Sequence, residues 1–165
     1  MVKIKRYIAS TTFSGFSMME LILIIVILGI FATVAMTRTD SGLSTIREQI
    51  AIDQITNDID LAKSMAFGKH ETISIVYSTN NESYTIYSGV GNDRQPISDF
   101  PNSDNGVISL DNSTMRDVDL QSATFLNNSP ELQFLPLGDP VSGGQITLNT
   151  KTISIEPVTG KWTIN

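Results

Sequence analysis

The residue that most needs a chemical explanation is Glu20, an acid at the start of the otherwise apolar run from Phe16 to Met36. An ionised carboxylate inside hydrocarbon costs about 2.5 kcal/mol or more, so an acid in this setting needs a cationic partner. Just before the run, Gly15 and Phe16 place a small residue beside a large aromatic one, which offers a protease a flexible, accessible bond. The pattern therefore predicts cleavage between Gly15 and Phe16 and pairing of Glu20 with a cation.

Catalytic chemistry has little support. His70 is the only histidine, so any Ser-His-Asp or histidine-metal site must use it. It lies in the charged stretch Lys69-His70-Glu71, and no Gly-x-Ser-x-Gly or His-Glu-x-x-His pattern accompanies it. The chain also contains no cysteine, which excludes thiol catalysis, disulfides and cysteine metal sites. We predict that the protein is not an enzyme and has no cofactor, and that His70 is a solvated junction residue.

Calcium is the strongest candidate ligand, since polar segments supply hard carboxylate oxygens. None of these segments matches the spaced Asp-x-Asp/Asn-x-Asp/Asn-Gly loop, so we predict no metal site. The alternative to a solubilising acidic surface is weak calcium binding by Asp99, Asp104, Asp117 and Asp119.

The element that must position Glu20 is the apolar run Phe16–Met36. At about 1.5 Å of rise per residue, a helix of this length covers the roughly 30 Å hydrocarbon core of a bilayer. Lys3, Lys5 and Arg6 precede the run and no acid does, which by the positive-inside tendency keeps residues 1–15 in the cytoplasm. The sequence thus predicts a single-pass protein with its bulk outside the cytoplasm.

An ordinary secretory signal peptide, cut after Thr33-Val34-Ala35, is the alternative reading of this run. Such a peptide has an uncharged core of about 7–15 residues. The uncharged run Leu21–Met36 is longer, and Glu20 stands where such peptides are normally uncharged. Both features favour a retained membrane helix.

The motif Gly15-Phe16-Ser17-x-x-Glu20-Leu21, with Gly29-Ile30 further on, resembles the class III (prepilin) signal and transmembrane segment of type IV pilin-like proteins. The resemblance implies cleavage after Gly15 by a prepilin peptidase, N-methylation of Phe16, and neutralisation of a neighbouring subunit's Phe16 ammonium by Glu20. Breaking a buried pair of opposite charges costs about 3–5 kcal/mol, so Glu20 would set the register of a filament. The chain has Thr37 where many filament-forming members of the family have a proline.

The same resemblance implies a cellular location and a set of partners. It places the chain in the bacterial inner membrane with its head in the periplasm, and then in a pilus or pseudopilus. The partners that it implies are other pilins or pseudopilins in a helical filament, the prepilin peptidase, the inner-membrane assembly platform and the lipid bilayer.

Beyond the membrane run, apolar residues recur at helical spacing and predict an amphipathic helix. The predicted buried stripe comprises Leu43, Ile46, Ile50, Ile55, Ile59, Ala62 and Ala66. Charged residues fall largely off this stripe, namely Arg47, Glu48, Asp53, Asp58 and Lys63. Asp40-Ser41-Gly42 is a brief break or a soft spot in an otherwise continuous helix, and Gly68 is a plausible C-cap.

From Glu71 onward the hydrophobic period changes to two, which predicts strands. We expect strands at Ile73–Tyr77, Tyr84–Tyr87, Val107–Leu110, Ala123–Leu126, Leu132–Leu135, Gln145–Leu148, Thr152–Ile155 and Trp162–Ile164. The polar segments Gly89–Asn105 and Asp111–Ser122 are predicted surface loops.

The predicted fold class is α+β, with a long N-terminal helix packed on a C-terminal antiparallel sheet or sandwich head. The predicted organisation is a cytoplasmic leader over residues 1–15, a transmembrane helix over 16–40, an amphipathic helix over 41–68 and a β-rich head over 69–165.

Segments 132–140, 143–148, 153–155 and 160–164 are similar to the head of H-type minor pseudopilins of type II secretion and of minor pilins from mannose-sensitive haemagglutinin-type pili. This similarity implies a structural subunit that primes or modulates filament assembly. The alternative is a DNA- or surface-binding minor pilin acting through a basic C-terminal region. Here that region reduces to Gly160-Lys161-Trp162 with Lys151 nearby.

Charge argues against nucleic acid as a partner. The chain has 11 basic and 17 acidic side chains and a net charge of −6. Loss of Lys3, Lys5 and Arg6 with residues 1–15 would leave 8 basic side chains and a balance of −9. Such a surface repels phosphate backbones, because affinity for nucleic acid grows with the number of phosphates neutralised.

Processing provides the first test. The mature protein should begin at N-methylated Phe16, because the small Gly15 leaves room at the bond and Phe16 begins the apolar run. Intact-mass analysis of protein from bacterial membranes measures this terminus. A mature terminus near Met36 would show cleavage by an ordinary signal peptidase and would contradict the prediction.

Overall fold

A computed structural model describes residues 15–165, apart from the side chains of residues 37–41 and 92. Residues 1–14, which include most of the predicted leader, lie outside the described residues. The chain divides between Ser41 and Gly42 into two compact units. Helix α1 runs over Met18–Lys69, a length of 52 residues, and its backbone stays helical where the sequence predicted a break or soft spot at Asp40-Ser41-Gly42.

The C-terminal end of α1 differs from the prediction. Gly68 lies inside the helix, and the left-handed residue that ends it is His70, with φ of 53°. Histidine is among the side chains that enter this region more readily than most, so a glycine is not required here. Lys69 lies in the last turn, where a cation complements the partial negative charge of the helix end.

The remainder of the second unit is built of short antiparallel strands. They are β1 Ile73–Ser78, β2 Ser83–Ser88, β3 Gln95–Pro96, β4 Val107–Ser109, β5 Ser122–Thr124, β6 Glu131–Phe134, β7 Gly144–Thr147, β8 Thr152–Ile155 and β9 Trp162–Ile164. The predicted α+β class is therefore confirmed, and every predicted strand is present with ends shifted by no more than a few residues. The two-residue strand β3 was not predicted.

The strands form two sheets. In the first sheet the order is β3-β2-β1-β6, and β4 also pairs with β2. The hairpin of β1 and β2 sets its register, with Ile75 opposite Ile86 and Tyr77 opposite Tyr84. The second sheet has the order β5-β7-β8-β9, and all of its pairings are antiparallel.

One face of α1 in the second unit enters a core shared with the sheets. Its buried apolar side chains are Ala51, Ile52, Ile55, Ile59, Ala62 and Ala66. The prediction was wrong for the first three members of the stripe, because Leu43, Ile46 and Ile50 are 43%, 57% and 37% exposed. At 3.6 residues per turn, these three lie on the opposite side of the helix from the buried isoleucines. The residues that we expected to form one buried face of the helix therefore lie on two opposite faces.

The two predicted surface loops also contribute side chains to the hydrophobic core. Ile97 and Phe100 from the first polar segment are buried, and so are Met115, Val118 and Leu120 from the second. Apolar side chains that occur singly among polar residues show no periodicity, so the sequence could not assign them to the core. They belong to the same hydrophobic core as the buried side chains of α1 and the strands.

Two acids that we expected to face solvent are buried on α1. Glu48 is 4% exposed, and its carboxylate accepts hydrogen bonds from the Thr150 backbone N–H (2.7 Å) and from the Thr150 hydroxyl (2.8 Å). It therefore joins the helix to the turn between β7 and β8. A buried carboxylate is tolerated only where such donors replace water.

Asp58 is 6% exposed, and the Tyr84 hydroxyl donates to its Oδ2 atom at 2.6 Å. The Tyr77 hydroxyl is buried nearby without a hydrogen-bond partner among the described residues, and the rings of Tyr77 and Tyr84 lie 5.5 Å apart. Burial raises the pKa of Asp58, and the hydrogen bond from Tyr84 lowers it by less. Burial, with the nearby Asp58 charge, raises the pKa of both tyrosines, so they stay neutral.

The raised pKa of Asp58 predicts that the head is more stable at acidic than at neutral pH. The pKa of Asp58 is higher in the folded state than its unfolded value of about 3.9. Its contribution to the free energy of unfolding is therefore fully present below that unfolded value and is lost as the pH rises through the folded-state pKa. Asp58→Asn keeps an acceptor for Tyr84 and cannot ionise. The unfolding temperature of this variant should fall less than that of the wild type between about pH 4 and pH 7.

The matched control is Asp111→Asn, which changes an exposed aspartate and should leave the wild-type pH profile intact. Thermal melts of the full chain in detergent, followed by circular dichroism, give the measurement. An unchanged pH profile for Asp58→Asn would contradict the assignment of a raised pKa.

Candidate assembly site

The residues that precede α1 form an exposed, non-helical segment. Gly15, Phe16 and Ser17 lie outside the helix, and the Phe16 side chain is 76% exposed. A Cβ atom placed on Gly15 would meet nothing within 4 Å. The Gly15–Phe16 bond therefore lies outside the helix among exposed residues, where a protease could reach it.

Ser17 starts the helix. Its Oγ atom accepts a hydrogen bond from the Met19 backbone N–H at 3.3 Å, and its carbonyl accepts one from the Leu21 N–H at 3.1 Å. Serine is one of the best N-cap residues because its hydroxyl satisfies a backbone donor that the helix leaves free. Helical structure thus begins two residues beyond the predicted cleavage point.

Glu20 lies in the first turn of α1, three residues after the Ser17 cap. The partial positive charge of the helix N-terminus favours an acid in this turn. The spacing Ser17-x-x-Glu20 is that of a capping box, a signal that the sequence analysis did not use. Glu20 is exposed, so its carboxylate is accessible to a cation from outside the chain.

The segment that follows, Met18–Met36, is apolar and uncovered. Its 19 residues have a mean hydropathy of 2.7, and by length and composition it could cross a membrane. Its large apolar side chains are between 38% and 81% exposed. Thr33 turns its hydroxyl inward to the carbonyls of Gly29 (3.2 Å) and Ile30 (2.8 Å), so even this polar group is satisfied within the helix. A water-exposed surface of this kind is unfavourable, so its natural surroundings are lipid or other apolar helices.

A second uncovered apolar surface lies on α1 in the other unit. We name Leu43, Ile46 and Ile50 the outer stripe. These residues follow the i, i+3, i+7 spacing of a helix face that contacts another element. These side chains are only partly covered within the described chain, where Ile50 borders a cleft that Asn102 and Met115 also line, so their exposed parts are available to another molecule.

The predicted calcium ligands do not converge. Asp117 accepts a salt bridge from Arg47 at 2.7 Å, and Asp104 accepts a hydrogen bond from the adjacent Asn105 amide. Asp99 and Asp119 are exposed. Among the described residues, no group of three or more histidine, cysteine or acidic side chains is close enough to hold a metal ion.

The remaining sequence-predicted residues serve the fold. His70 is exposed and lies beside Phe67, with ring centroids 6.2 Å apart. In the basic C-terminal region, Lys151 donates to the Gln49 amide oxygen (2.9 Å) and the Trp162 indole N–H donates to Asp60 (3.1 Å). Both side chains are thus engaged with α1, which leaves Lys161 as the exposed cation of that region.

Comparison with known proteins gives one structural likeness. The chain is similar to the crystal structure of the type IV minor pilin FimU of Pseudomonas aeruginosa, with a TM-score of 0.49 and 16% sequence identity over 71% of this chain and 87% of that chain. No protein-family model matches the chain, and no curated protein matches it at a significant level.

Proposed function

We propose that the protein is a minor pilin or pseudopilin, a structural subunit that enters a type IV pilus or a type II secretion pseudopilus through its N-terminal helix and primes or modulates assembly. The observation that carries this proposal is the uncovered apolar helix Met18–Met36 with an acid in its first turn. A plain membrane anchor needs the apolar surface but gains nothing from the acid. A helix that moves from lipid into a bundle of like helices uses both.

The apolar surface supplies the affinity. Burial of a leucine, isoleucine or valine side chain is worth about 1.5–3 kcal/mol relative to water. Lipid and the core of a helical filament both provide that burial, so the helix can exchange one for the other at little cost. Small residues at Gly29, Ala32 and Ala35 would allow close approach of a neighbouring helix in either setting.

Glu20 supplies the specificity. Cleavage after Gly15 would create an ammonium on Phe16, just before the N-terminus of the same helix. In a filament the Glu20 carboxylate would pair with the Phe16 ammonium of an adjacent subunit, and each charge would remove the penalty for burying the other. A register shift would leave both charges unpaired, so the pair selects one axial position.

The outer stripe supports contact through the head as well. Leu43, Ile46 and Ile50 are exposed on α1, whereas the opposite face of the same helix is occupied by the head's own core. A neighbouring helix is a natural cover for such a stripe, because ridges of i, i+3 and i+4 side chains fit the grooves of another helix. The subunit would then use one helix for its fold and for its neighbours.

The proposal includes the route to the filament. A prepilin peptidase would cut the exposed Gly15–Phe16 bond and methylate Phe16, an inner-membrane platform would extract the subunit, and the head would lie in the periplasm before assembly. The alternative of DNA capture has no support from the C-terminal region, where Lys151 and Trp162 are held by α1.

Replacement of Glu20 tests the proposal. Glu20→Ala should leave membrane insertion and cleavage intact, since loss of a carboxylate makes entry into lipid easier. Incorporation into filaments should fall by at least about tenfold, because a Phe16 ammonium would be buried without its counter-charge. Glu20→Gln should be nearly as damaging, because it keeps size and hydrogen bonding but not charge.

The measurement is the amount of each variant that co-purifies with sheared filaments or partner pilins, normalised to the amount in the membrane. Glu156→Gln is the matched control, since it removes an exposed acid from the head and should assemble normally. If both Glu20 variants assembled at wild-type levels, the pairing of Glu20 with Phe16 would be wrong.

A further inference from the structure

Three titratable side chains are enclosed where α1 packs on the first sheet. We name Asp58 of α1, Tyr77 of β1 and Tyr84 of β2 the buried triad, and each of them is at most 6% exposed. Tyr77 and Tyr84 lie directly opposite each other on antiparallel strands, so their rings project from the same face of the sheet. The two ring centroids are 5.5 Å apart, and the Tyr77 ring also stacks on Phe125 at 5.9 Å. Packing therefore fixes the two tyrosines side by side.

The hydrogen bonds of the buried triad are unequal. The Tyr84 hydroxyl donates to Oδ2 of Asp58 at 2.6 Å, whereas the Tyr77 hydroxyl has no partner among the described residues. A buried donor without an acceptor is unfavourable. An ionised carboxylate accepts hydrogen bonds at both of its oxygens, and it binds a hydroxyl more strongly than a neutral carboxyl does. The Tyr77 hydroxyl is thus a donor that only the ionised form of Asp58 would use fully.

No charged side chain of the described residues competes for this role. Burial and one hydroxyl are what shift the pKa of Asp58. On the first sheet, Glu131 lies opposite Val76, so it projects from the other face than Tyr77 does. The Glu82 carboxylate is engaged by a backbone N–H at 2.6 Å. The residues three and four positions from Asp58 on α1 are all uncharged, namely Gln54, Ile55, Leu61 and Ala62.

We propose that Asp58 and Tyr77 form a proton-controlled contact between α1 and the first sheet. While Asp58 is protonated, α1 is held at this point by Tyr84 alone. When Asp58 loses its proton to solvent, its second oxygen accepts a hydrogen bond from the Tyr77 hydroxyl, and the bond from Tyr84 persists. The helix is then joined to both β1 and β2, and the head holds α1 differently at acidic and at neutral pH.

The contact acts on the helix that also carries the outer stripe. How α1 is held on the sheet therefore bears on any partner of that stripe. The inference does not rest on the proposed function, because all three side chains of the buried triad belong to the head itself. A failure of filament assembly would leave the contact intact, and a failure of the contact would leave the assembly argument unchanged.

Tyr77→Phe tests the proposal, because it removes the hydroxyl and keeps the ring. At acidic pH, loss of a hydroxyl without an acceptor should leave the unfolding temperature equal to that of the wild type or raise it. At neutral pH the same change removes a donor from a buried carboxylate, which raises the pKa of Asp58 further and lowers the unfolding temperature below that of the wild type. The sign of the effect should therefore reverse between about pH 4 and pH 8.

Two comparisons isolate the contact in thermal melts of the full chain in detergent. Tyr87→Phe is the matched control, since it removes a hydroxyl from β2 outside the buried triad, where the ring faces Arg94 at 4.6 Å, and its effect should be the same at both pH values. In an Asp58→Asn background no carboxylate can form, so Tyr77→Phe should also have one effect at both pH values.

Tyrosine resonance Raman gives a second measurement, because its doublet reports hydrogen bonding of the phenol hydroxyl. The doublet should change between acidic and neutral pH in the wild type and stay constant in Asp58→Asn. The proposal is overturned if Tyr77→Phe shifts the unfolding temperature equally at both pH values, or if its pH dependence survives in the Asp58→Asn background. It is also overturned if the wild-type doublet does not change with pH.

Discussion

The structure depends on one constraint, which is that the apolar surface of Met18–Met36 has no cover within the described chain. Every large apolar side chain of that segment is exposed to at least 38%. In water this surface would drive aggregation, so it needs an apolar environment. In the proposed function that environment is first lipid and then a filament, and the acid in the first turn takes its proposed role from this passage.

The same constraint explains how the head is built. Because the first part of α1 is exposed, the core of the head is built on the remainder of the helix. It uses one face of residues 51–66 and two buried acids. Glu48 accepts hydrogen bonds from Thr150 in the turn between β7 and β8, and Asp58 accepts one from Tyr84 in β2. Hydrogen-bonded acids at these points join helix and strands directionally, in a domain that has no cysteine and hence no disulfide.

Hydrophobic periodicity predicted the helix and the strands, whereas the burial of single residues depended on contacts that the sequence does not reveal. The apolar run, the helical spacing to Ala66 and the alternation after Glu71 were strong enough to give the helix, the strands and the α+β class. The outer stripe was misassigned because Leu43, Ile46 and Ile50 follow helical spacing as well as the core residues do, and periodicity does not say what covers a face. Glu48 and Asp58 were predicted to be exposed because an acid is buried only where hydrogen-bond donors replace water. Their donors, Thr150 and Tyr84, are distant in sequence and could not be recognised. At the candidate site, Gly15, Phe16 and Glu20 could be chosen from the sequence. The capping role of Ser17 was missed, although the spacing Ser17-x-x-Glu20 is a sequence signal for it.

The central claim is that other subunits cover α1, and site-specific photo-cross-linking tests it most directly. A photoreactive phenylalanine analogue would replace Leu43, Ile46 or Ile50 in the full chain, and Val90, which is 63% exposed elsewhere on the head, would serve as the control. Irradiation of filament-producing cells should yield adducts from the outer stripe, and mass spectrometry should identify the partners as copies of this chain or as proteins that begin with a similar acid-containing apolar helix. Adducts no more abundant than at Val90, or with partners that lack such a helix, would contradict the account.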